Sequence, residues 1–242
     1  MTYSRRVALS LLALPLAAFA ATPHAAPAAQ TPASSLTAVL NQLDAASAKF
    51  KSVQANVHYD NYTRAVKDHD LHTGTIYVER SGGVDRMGAL DFGASGKTPV
   101  VILNYDGNVL HNYTAGTNQD DIFKAGDNKA KYQSFLTLGF GGSGKSLSQS
   151  WTITDGGSEM ISDGSGQVKT EKLDLIPKDP SVANVFKQVT IWIDPVRGIS
   201  LKQIFYAPNG DTRTAEYTDI KLNGSVDKKP YTIPKKATPN VH

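Results

Sequence analysis

The sequence predicts a mainly β protein of the α+β class, with one curved antiparallel sheet of about ten strands and a few helices on one face. Most segments after residue 52 alternate apolar with polar residues, which is the period of a strand with one buried face. Turn-forming pairs such as Asn209-Gly210 separate these segments. Helical patterns do not alternate regularly with the strands, as they would in a parallel sheet. These observations favour a single domain over residues 34–226.

Residues 1–20 have the three parts of a secretory signal peptide. Arg5 and Arg6 precede an apolar run that is shorter than a membrane span and ends in Ala-Phe-Ala. We therefore expect cleavage after Ala20 and export to the periplasm, by either the general secretory or the twin-arginine route. The Ala- and Pro-rich residues 21–33 are predicted to form a disordered linker.

Composition excludes several classes of protein. Loss of the two signal-peptide arginines lowers the formal net charge from +3 to +1. No basic stripe with interleaved aromatic residues is present, so nucleic acid is not an expected partner. The chain has no cysteine, which excludes both a disulfide framework and lipidation of the mature N-terminus. We expect a monomer whose core is stabilised by burial alone.

Two segments have helical periodicity. After a Ser34-Ser35 cap, apolar residues recur three and four positions apart over residues 36–50. Residues 128–138 form the second predicted helix, which ends in the glycine-rich sequence GFGGSG. The Pro- and Lys-rich residues 227–242 are predicted to be an extended or frayed C-terminal tail. The predicted strands cover residues 53–59, 75–80, 100–105, 109–113, 151–154, 171–176, 188–193, 200–206 and 211–222.

The most conspicuous motif is GFGGSGKS at residues 139–146, which fits the P-loop pattern G-x-x-x-x-G-K-[ST]. A working P-loop follows a buried strand and opens a helix whose N-terminus faces the phosphates. Here the preceding segment is predicted to be helical, and residues 147–150 leave too little room for a helix before the next strand. We therefore interpret the motif as a flexible glycine hinge.

Metal and catalytic sites are not expected either. His69 and His72 lie beside Asp68 and Asp70, but in a predicted hairpin, and a zinc site needs three or four converging ligands. The nucleophile motif G-x-S-x-G is absent, and the acidic residues are scattered among turns and strand faces. The sequence thus predicts neither an enzyme nor a cofactor.

A large curved sheet with few helices has an inner face that either side chains or a ligand must fill. The sequence leaves both possibilities open. The residues that we predict to line such a hollow are apolar or aromatic and belong to both helices and to several strands: Leu40, Leu43, Phe50, Tyr77, Tyr105, Tyr113, Phe135, Leu138, Trp192 and Phe205.

The order of several short segments resembles that of the periplasmic outer-membrane lipoprotein carrier (LolA) family. The first helix is followed by AKFKSVQANV, by the strand TGTIYVER that ends at Arg80, and by the hairpin YDGNVLHNY. Further along come FLTL in the second helix, LDLIPK and the last hairpins. Together these segments extend over residues 36–223. The combination of FLTLGFGGSGK with LIPKD resembles a LolA-like subgroup.

The resemblance implies an incomplete β-barrel with a lid of helices over an apolar hollow. It implies that the protein receives acylated lipoproteins or other lipids from an inner-membrane releasing transporter and carries them through the periplasm to an outer-membrane acceptor. Arg80 matches the family arginine that hydrogen-bonds the helices and holds the lid closed, and Ser81-Gly82-Gly83 replaces the family's following proline. An alternative on the same fold is a module that binds or senses envelope lipids or glycolipids.

Overall fold

The computed structural model describes residues 35–94, 96–126 and 129–242. These residues belong to one compact unit, Ala33–His242. The predicted signal peptide, residues 1–20, and the predicted linker, residues 21–33, lie outside the described residues.

The described residues form one unclosed sheet of twelve strands with four α-helices, which confirms the mainly β fold of an incomplete barrel. The helices are α1 (Leu36–Ser47), α2 (Lys129–Leu136), α3 (Gly144–Ser150) and α4 (Pro180–Ala183), and a 3₁₀ helix spans Lys229–Tyr231. The strands are β1 (Ser52–Thr63), β2 (Asp68–Ser81), β3 (Val84–Asp91), β4 (Val101–Tyr105), β5 (Val109–Thr114), β6 (Gln119–Lys124), β7 (Trp151–Ser162), β8 (Gln167–Pro177), β9 (Gln188–Asp194), β10 (Ile199–Tyr206), β11 (Thr212–Leu222) and β12 (Thr238–Val241).

The strand order explains why helices cover one face of the sheet. The order is β12-β6-β5-β4-β3-β2-β1-β11-β10-β9-β8-β7, antiparallel throughout except for the parallel pair β12 and β6. The chain builds one half of the sheet from β1 outward to β6 and then begins the other half at β7, the opposite edge. A connection between those two strands has to cross a face of the sheet, and it carries α2 and α3 across.

We call the face under this crossing the inner face. It carries Val53, Ala55 and Val57, which alternate along β1 and pack with Phe140 from the crossing. A second buried cluster on this face joins α1 to the strands β7, β8 and β9. Its members are Val39, Leu43, Leu138, Trp151, Leu173, Leu175, Val189, Ile191 and Ile193. The inner face is therefore the main hydrophobic core of the described unit.

The C-terminal tail covers part of the opposite, outer face. Tyr231 packs edge-on against Tyr77 with ring centroids 4.7 Å apart, and its hydroxyl lies 3.0 Å from the hydroxyl of Thr75. Gly88 makes room for the ring, because a Cβ there would lie 2.7 Å from Cδ1 of Tyr231. The tail then adds β12 to the edge of β6. Residues 227–242 are thus extended in part, and they pair with the sheet instead of fraying.

Five of the α-helices and strands were not predicted from the sequence: β3, β6, β12, α3 and α4. β3 is buried on both faces over residues 87–90, because the tail covers its outer side. A strand buried on both faces does not alternate, so it lacks the signal used to find the others. The remaining four elements are only four to seven residues long.

We predict that Tyr231→Ala destabilises the fold by about 3 kcal/mol or more, because removal of a buried aromatic ring leaves a cavity against Tyr77 and Gly88. Urea denaturation of both proteins measures the difference. Val196→Ala, at a position that is 78% exposed, is the matched control and should change the free energy of unfolding by no more than about 0.5 kcal/mol. Equal stability of the Tyr231 variant and the parent protein would show that the tail is not part of the cooperative fold.

Candidate functional site

Arg80, near the end of β2, links the sheet to the helices. Its Nε and Nη2 donate to the two carboxylate oxygens of buried Asp85 at 2.6 and 2.9 Å. Nη1 donates to the backbone oxygen of Ser47, the last residue of α1, at 3.0 Å, and Nη2 donates to the backbone oxygen of Gly141 at 3.1 Å. We call Arg80, Asp85, Ser47 and Gly141 the Arg80 node. It joins two strands, the end of a helix and the glycine-rich loop through one guanidinium.

The turn between β2 and β3 sets the geometry of the Arg80 node. Arg80 pairs with Asp85 across a hairpin whose two central residues are Gly82 and Gly83, with φ of +61° and +74°. Positive φ at both central positions is the requirement of a two-residue type I′ turn. Gly82 and Gly83 therefore place the carboxylate opposite the arginine. Hydrogen bonding to Asp85 raises the pKa of Arg80 above its ordinary value, so the guanidinium stays charged.

The glycine-rich loop packs closely, which corrects its interpretation as a flexible hinge. Gly141 has φ of +71°, and a Cβ there would lie 2.6 Å from Cε1 of Phe50. A Cβ on Gly144 would lie 2.7 Å from Cα of Leu40, so the start of α3 rests on the backbone of α1. The hydroxyl of Ser47 also donates to the backbone oxygen of Gly141 at 2.7 Å. These glycines permit close approach between backbone segments.

The P-loop pattern also lies in a different setting from the one predicted. The expectation that residues 147–150 leave no room for a helix was wrong, because α3 begins at Gly144, inside the pattern. Ser143 caps this helix: its Oγ accepts from the backbone N–H of Ser146 at 3.0 Å. The segment before the pattern is α2, as predicted, and not a buried strand. The arrangement is thus a helix–loop–helix whose loop is bound to the sheet.

Buried hydrogen bonds of Gln203 anchor the same loop to the other half of the sheet. Gln203 on β10 donates from Nε2 to the backbone oxygen of Leu138 at 2.8 Å, and its Oε1 accepts from the hydroxyl of Tyr217 at 3.1 Å. Burial raises the pKa of Tyr217, so this hydroxyl keeps its proton. The backbone N–H of Ser200 donates to the oxygen of Gly139 at 2.7 Å. The loop is therefore hydrogen-bonded to both halves of the sheet.

An apolar hollow of about 190 Å³ lies between residues 135–140 and the inner face. Phe135, Phe186 and Phe205 form one aromatic wall, with ring centroids 5.1 to 6.2 Å apart. Gln203, Arg213 and Tyr217 are its polar members. The other lining residues are Tyr59, Ile76, Met87, Ala89, Leu103, Leu136, Leu138, Phe140 and Ala215. The arrangement can accept a hydrocarbon group, because apolar side chains dominate the walls.

Three of the ten residues predicted to line a hollow do line it: Phe135, Leu138 and Phe205. Phe50 and Tyr105 are buried beside it in the core cluster of the inner face. Leu40 and Leu43 belong to α1 and pack over the second core cluster. These four residues support the walls without forming them.

Strand alternation places three of the predicted lining residues, Tyr77, Tyr113 and Trp192, on the outer face. The prediction that these three line the hollow was therefore wrong. Tyr77 and Tyr113 pack with the C-terminal tail. Trp192 lies between the ammonium groups of Lys172 and Lys202, 5.2 and 5.6 Å from its ring centroid. The sequence shows which residues of a strand share a face, but it does not say which of the two faces the helices cover.

A second cavity, of about 310 Å³, adjoins the Arg80 node between α1, α2 and α3. Leu138 lines both this cavity and the apolar hollow, so the two are neighbours. Its apolar wall is formed by Leu43, Leu147, Ile191 and Ile193, and the rest of its lining is polar or glycine: Ser47, Arg80, Asp85, Gln133, Ser134, Thr137, Gly139, Gly142, Ser143, Ser146, Gln149 and Ser150. Leucine and isoleucine side chains form a large part of its surface, and we call it the polar cavity only to distinguish it from the apolar hollow.

The residues that sequence reasoning missed are mainly Asp85, Ser47 and Phe186. Asp85 could have been found, because the Gly82-Gly83 pair indicates a two-residue hairpin that places residue 85 opposite Arg80. Ser47 and Phe186 join the site only through tertiary packing, and no local pattern indicates them.

The histidines considered as metal ligands pair with carboxylates instead. His69 lies 2.8 Å from Asp60, and His72 lies 2.8 Å from Asp91 and 2.9 Å from Asp70. In the part of the chain that the structure describes, His and acidic side chains do not gather into a group able to hold a metal ion. Over the same residues, every helix is too short or too polar to cross a bilayer.

The unclosed antiparallel sheet with helices on its inner face is similar to the fold of several solved structures. An uncharacterized conserved protein from Thermus thermophilus is similar, with a TM-score of 0.52 and 12% identity over 85% of this chain and 98% of that one. A LolA superfamily protein from Nitrosomonas europaea has a TM-score of 0.39 and 15% identity, covering 81% and 97%. The lipoprotein LppX from Mycobacterium tuberculosis has a TM-score of 0.44 and 13% identity, covering 79% and 97%.

No protein-family model matches the sequence, and no curated protein matches it. At identities of 12 to 15%, the likeness to these solved structures concerns the fold alone.

We predict that Gly144→Ala destabilises the protein by about 1–3 kcal/mol, because the added methyl group meets the backbone of Leu40 and must push α3 away from α1. Gly142→Ala is the matched control in the same loop: a Cβ there meets nothing within 4 Å. Guanidinium denaturation of the two variants should therefore give clearly separated midpoints. Coincident midpoints would contradict close contact between α1 and α3.

We also predict a pH-dependent contribution from His72. Hydrogen bonding to Asp91 is the largest cause that raises the pKa of His72 above its ordinary value. The stabilisation is therefore fully present below the ordinary pKa of about 6.5 and is lost as the pH rises through the higher folded-state pKa. The free energy of unfolding of the parent protein, minus that of His72→Gln, should fall over this interval. Asp91→Asn should reduce the same pH dependence, and a flat difference for His72→Gln would contradict the pairing.

Proposed function

We propose that this protein is an exported, non-enzymatic carrier that shields the acyl chains of lipoproteins or other lipids in its apolar hollow. The carrier would take its cargo from an inner-membrane releasing transporter and deliver it through the periplasm to an outer-membrane acceptor. The observation that carries this proposal is the apolar hollow, covered by a segment that hydrogen bonds hold on both sides. The order of LolA-like sequence segments and the signal-peptide pattern support it independently.

The size of the hollow implies that residues 135–140, which we call the cover, have to move for a lipid to bind. Its volume of about 190 Å³ is below the 300–1,000 Å³ that is usual for small-molecule sites. An acyl chain therefore fits only if residues 135–140 shift outward and Phe140 withdraws from the core. Such a shift breaks the hydrogen bonds that the Arg80 node makes to Gly141. Closure of the cover and lipid binding then compete for the same space.

This competition suits a carrier more than a storage protein. Burial of a hydrocarbon chain gains about 0.8 kcal/mol per CH₂ group, so complete enclosure of several chains would make release extremely slow. A closed state stabilised by charge-assisted hydrogen bonds offsets part of that gain. Arginine suits this role because its planar group has five donors and can hold a carboxylate and two carbonyl groups at once.

A binding or sensing module for envelope lipids or glycolipids would use the same hollow. The two functions differ in whether the lipid leaves again for an acceptor membrane. Transfer kinetics therefore separate them, and the Arg80 node is the feature of this chain that favours transfer.

We predict that weakening the Arg80 node leaves lipid uptake intact and slows release by roughly tenfold, because the closed state loses about 1.4 kcal/mol of its advantage. Arg80→Leu tests this, and Arg80→Leu combined with Asp85→Asn avoids leaving a buried carboxylate unpaired, which alone costs about 3 kcal/mol. The measurement is binding of a fluorescent fatty acid, followed by its stopped-flow transfer to acceptor liposomes.

Arg80→Lys is the control, because lysine keeps the charge but cannot hold Asp85 and both carbonyl oxygens together. Its transfer rate should lie between those of the parent and the double variant. Parent-like transfer by the double variant would contradict the role of the Arg80 node. Failure of the parent protein to bind any acyl chain would contradict the proposed function itself.

A further inference from the structure

We propose that the polar cavity binds the uncharged, hydroxyl- or amide-bearing head group of the cargo, while the neighbouring apolar hollow takes its acyl chain. This inference rests on the proposed function and adds the chemical class of the head group.

The two spaces are placed as an amphiphile requires. Leu138 lines both of them, and its backbone is held to the sheet by Gln203. A molecule that reaches past Leu138 therefore has one end among phenylalanine rings and the other among serine and glutamine side chains. The polar cavity, at about 310 Å³, has the volume of about ten water molecules. That space suits a compact head group.

The lining of the polar cavity offers hydrogen bonds that the protein does not use itself. Gln133 and Ser134 on α2 line it together with Ser146, Gln149 and Ser150 on α3. In the structure as described, the side chains of these five residues make no hydrogen bond to another protein group. Hydroxyl and amide groups both donate and accept, so they match sugars, glycerol and peptide groups.

The charges of the polar cavity disfavour an anionic head group. Among the lining residues that the structure describes, Arg80 and Asp85 are the only charged side chains, and they are joined by two hydrogen bonds. Their charges cancel, and each nitrogen of the Arg80 guanidinium donates to Asp85 or Ser47, which lie outside the segment that moves. A phosphate placed there would lose its hydration without gaining a counter-charge. The cavity therefore selects neutral head groups over charged ones.

The test compares amphiphiles with the same twelve-carbon chain as competitors of a bound fluorescent fatty acid, all below their micelle concentrations. The four are dodecyl glucoside with a sugar head, N-dodecanoyl glycinamide with an amide head, dodecanol with a single hydroxyl, and dodecyl phosphate with an anionic head. We expect the sugar or the amide head to bind about tenfold more tightly than dodecanol or dodecyl phosphate, from two or more additional neutral hydrogen bonds.

The variant Gln133→Met with Gln149→Met keeps the side-chain length and removes the two amides. This variant should reduce the preference for the sugar or amide head over dodecanol to about twofold or less, and it should leave dodecanol binding unchanged. Ser134→Ala with Ser150→Ala is a second, smaller change that should act in the same direction. Lys145→Ala, on an exposed position of α3, is the control and should keep the full preference.

Tighter binding of the amphiphile with the sugar head indicates a glycolipid cargo, and tighter binding of the one with the amide head indicates a lipopeptide. Either result supports the proposal. Equal binding of all four amphiphiles, or tighter binding of dodecyl phosphate, would overturn the head-group site and leave the acyl carrier intact. If the fatty acid itself does not bind and none of the four amphiphiles binds, the result contradicts the proposed function, on which the head-group site rests.

Discussion

The ion pair between Arg80 and Asp85 is the interaction on which the arrangement of sheet and helices depends. Asp85 is buried, so its charge has to be compensated where it stands, and Arg80 does this with two hydrogen bonds. The pair fixes the guanidinium, whose remaining donors then reach the carbonyl groups of Ser47 and Gly141. The fixed guanidinium thus gives the ends of α1 and of the glycine-rich loop a common partner on the sheet.

The topology supplies the second constraint, because the chain has to pass from one edge of the sheet to the other. The crossing between β6 and β7 carries α2, the loop and α3 over the inner face. It is held at two places: by the Arg80 node on β2, and by Gln203 and Ser200 on β10, which bond Leu138 and Gly139. Between them, Phe140 fills the core and Leu138 divides an apolar space from a polar one. A cover attached at two points and packed on exchangeable apolar contacts is suited to opening and closing as a unit.

The two faces of the sheet have different roles in this arrangement. The inner face holds the hollow and the segment that covers it, whereas the outer face near β2 and β3 is sealed by the tail through Tyr231. The tail contacts strands of the half-sheet that also carries Arg80 and Asp85. The tail therefore packs on the outer side of the strands that carry the Arg80 node.

The sequence alone determined the class of fold, because period-two alternation and turn residues depend on local geometry that each strand carries by itself. The resemblance to the LolA family singled out Arg80, and three of the ten residues predicted to line a hollow, Phe135, Leu138 and Phe205, lie at the apolar hollow. Tertiary structure alone decided which face of the sheet the helices cover, and this moved Tyr77, Tyr113 and Trp192 to the outer side. It also decided the role of Gly141 and Gly144, because the approach of Phe50 and Leu40 comes from segments about a hundred residues away in the chain. Such contacts result from packing between distant segments, for which a local pattern has no signal.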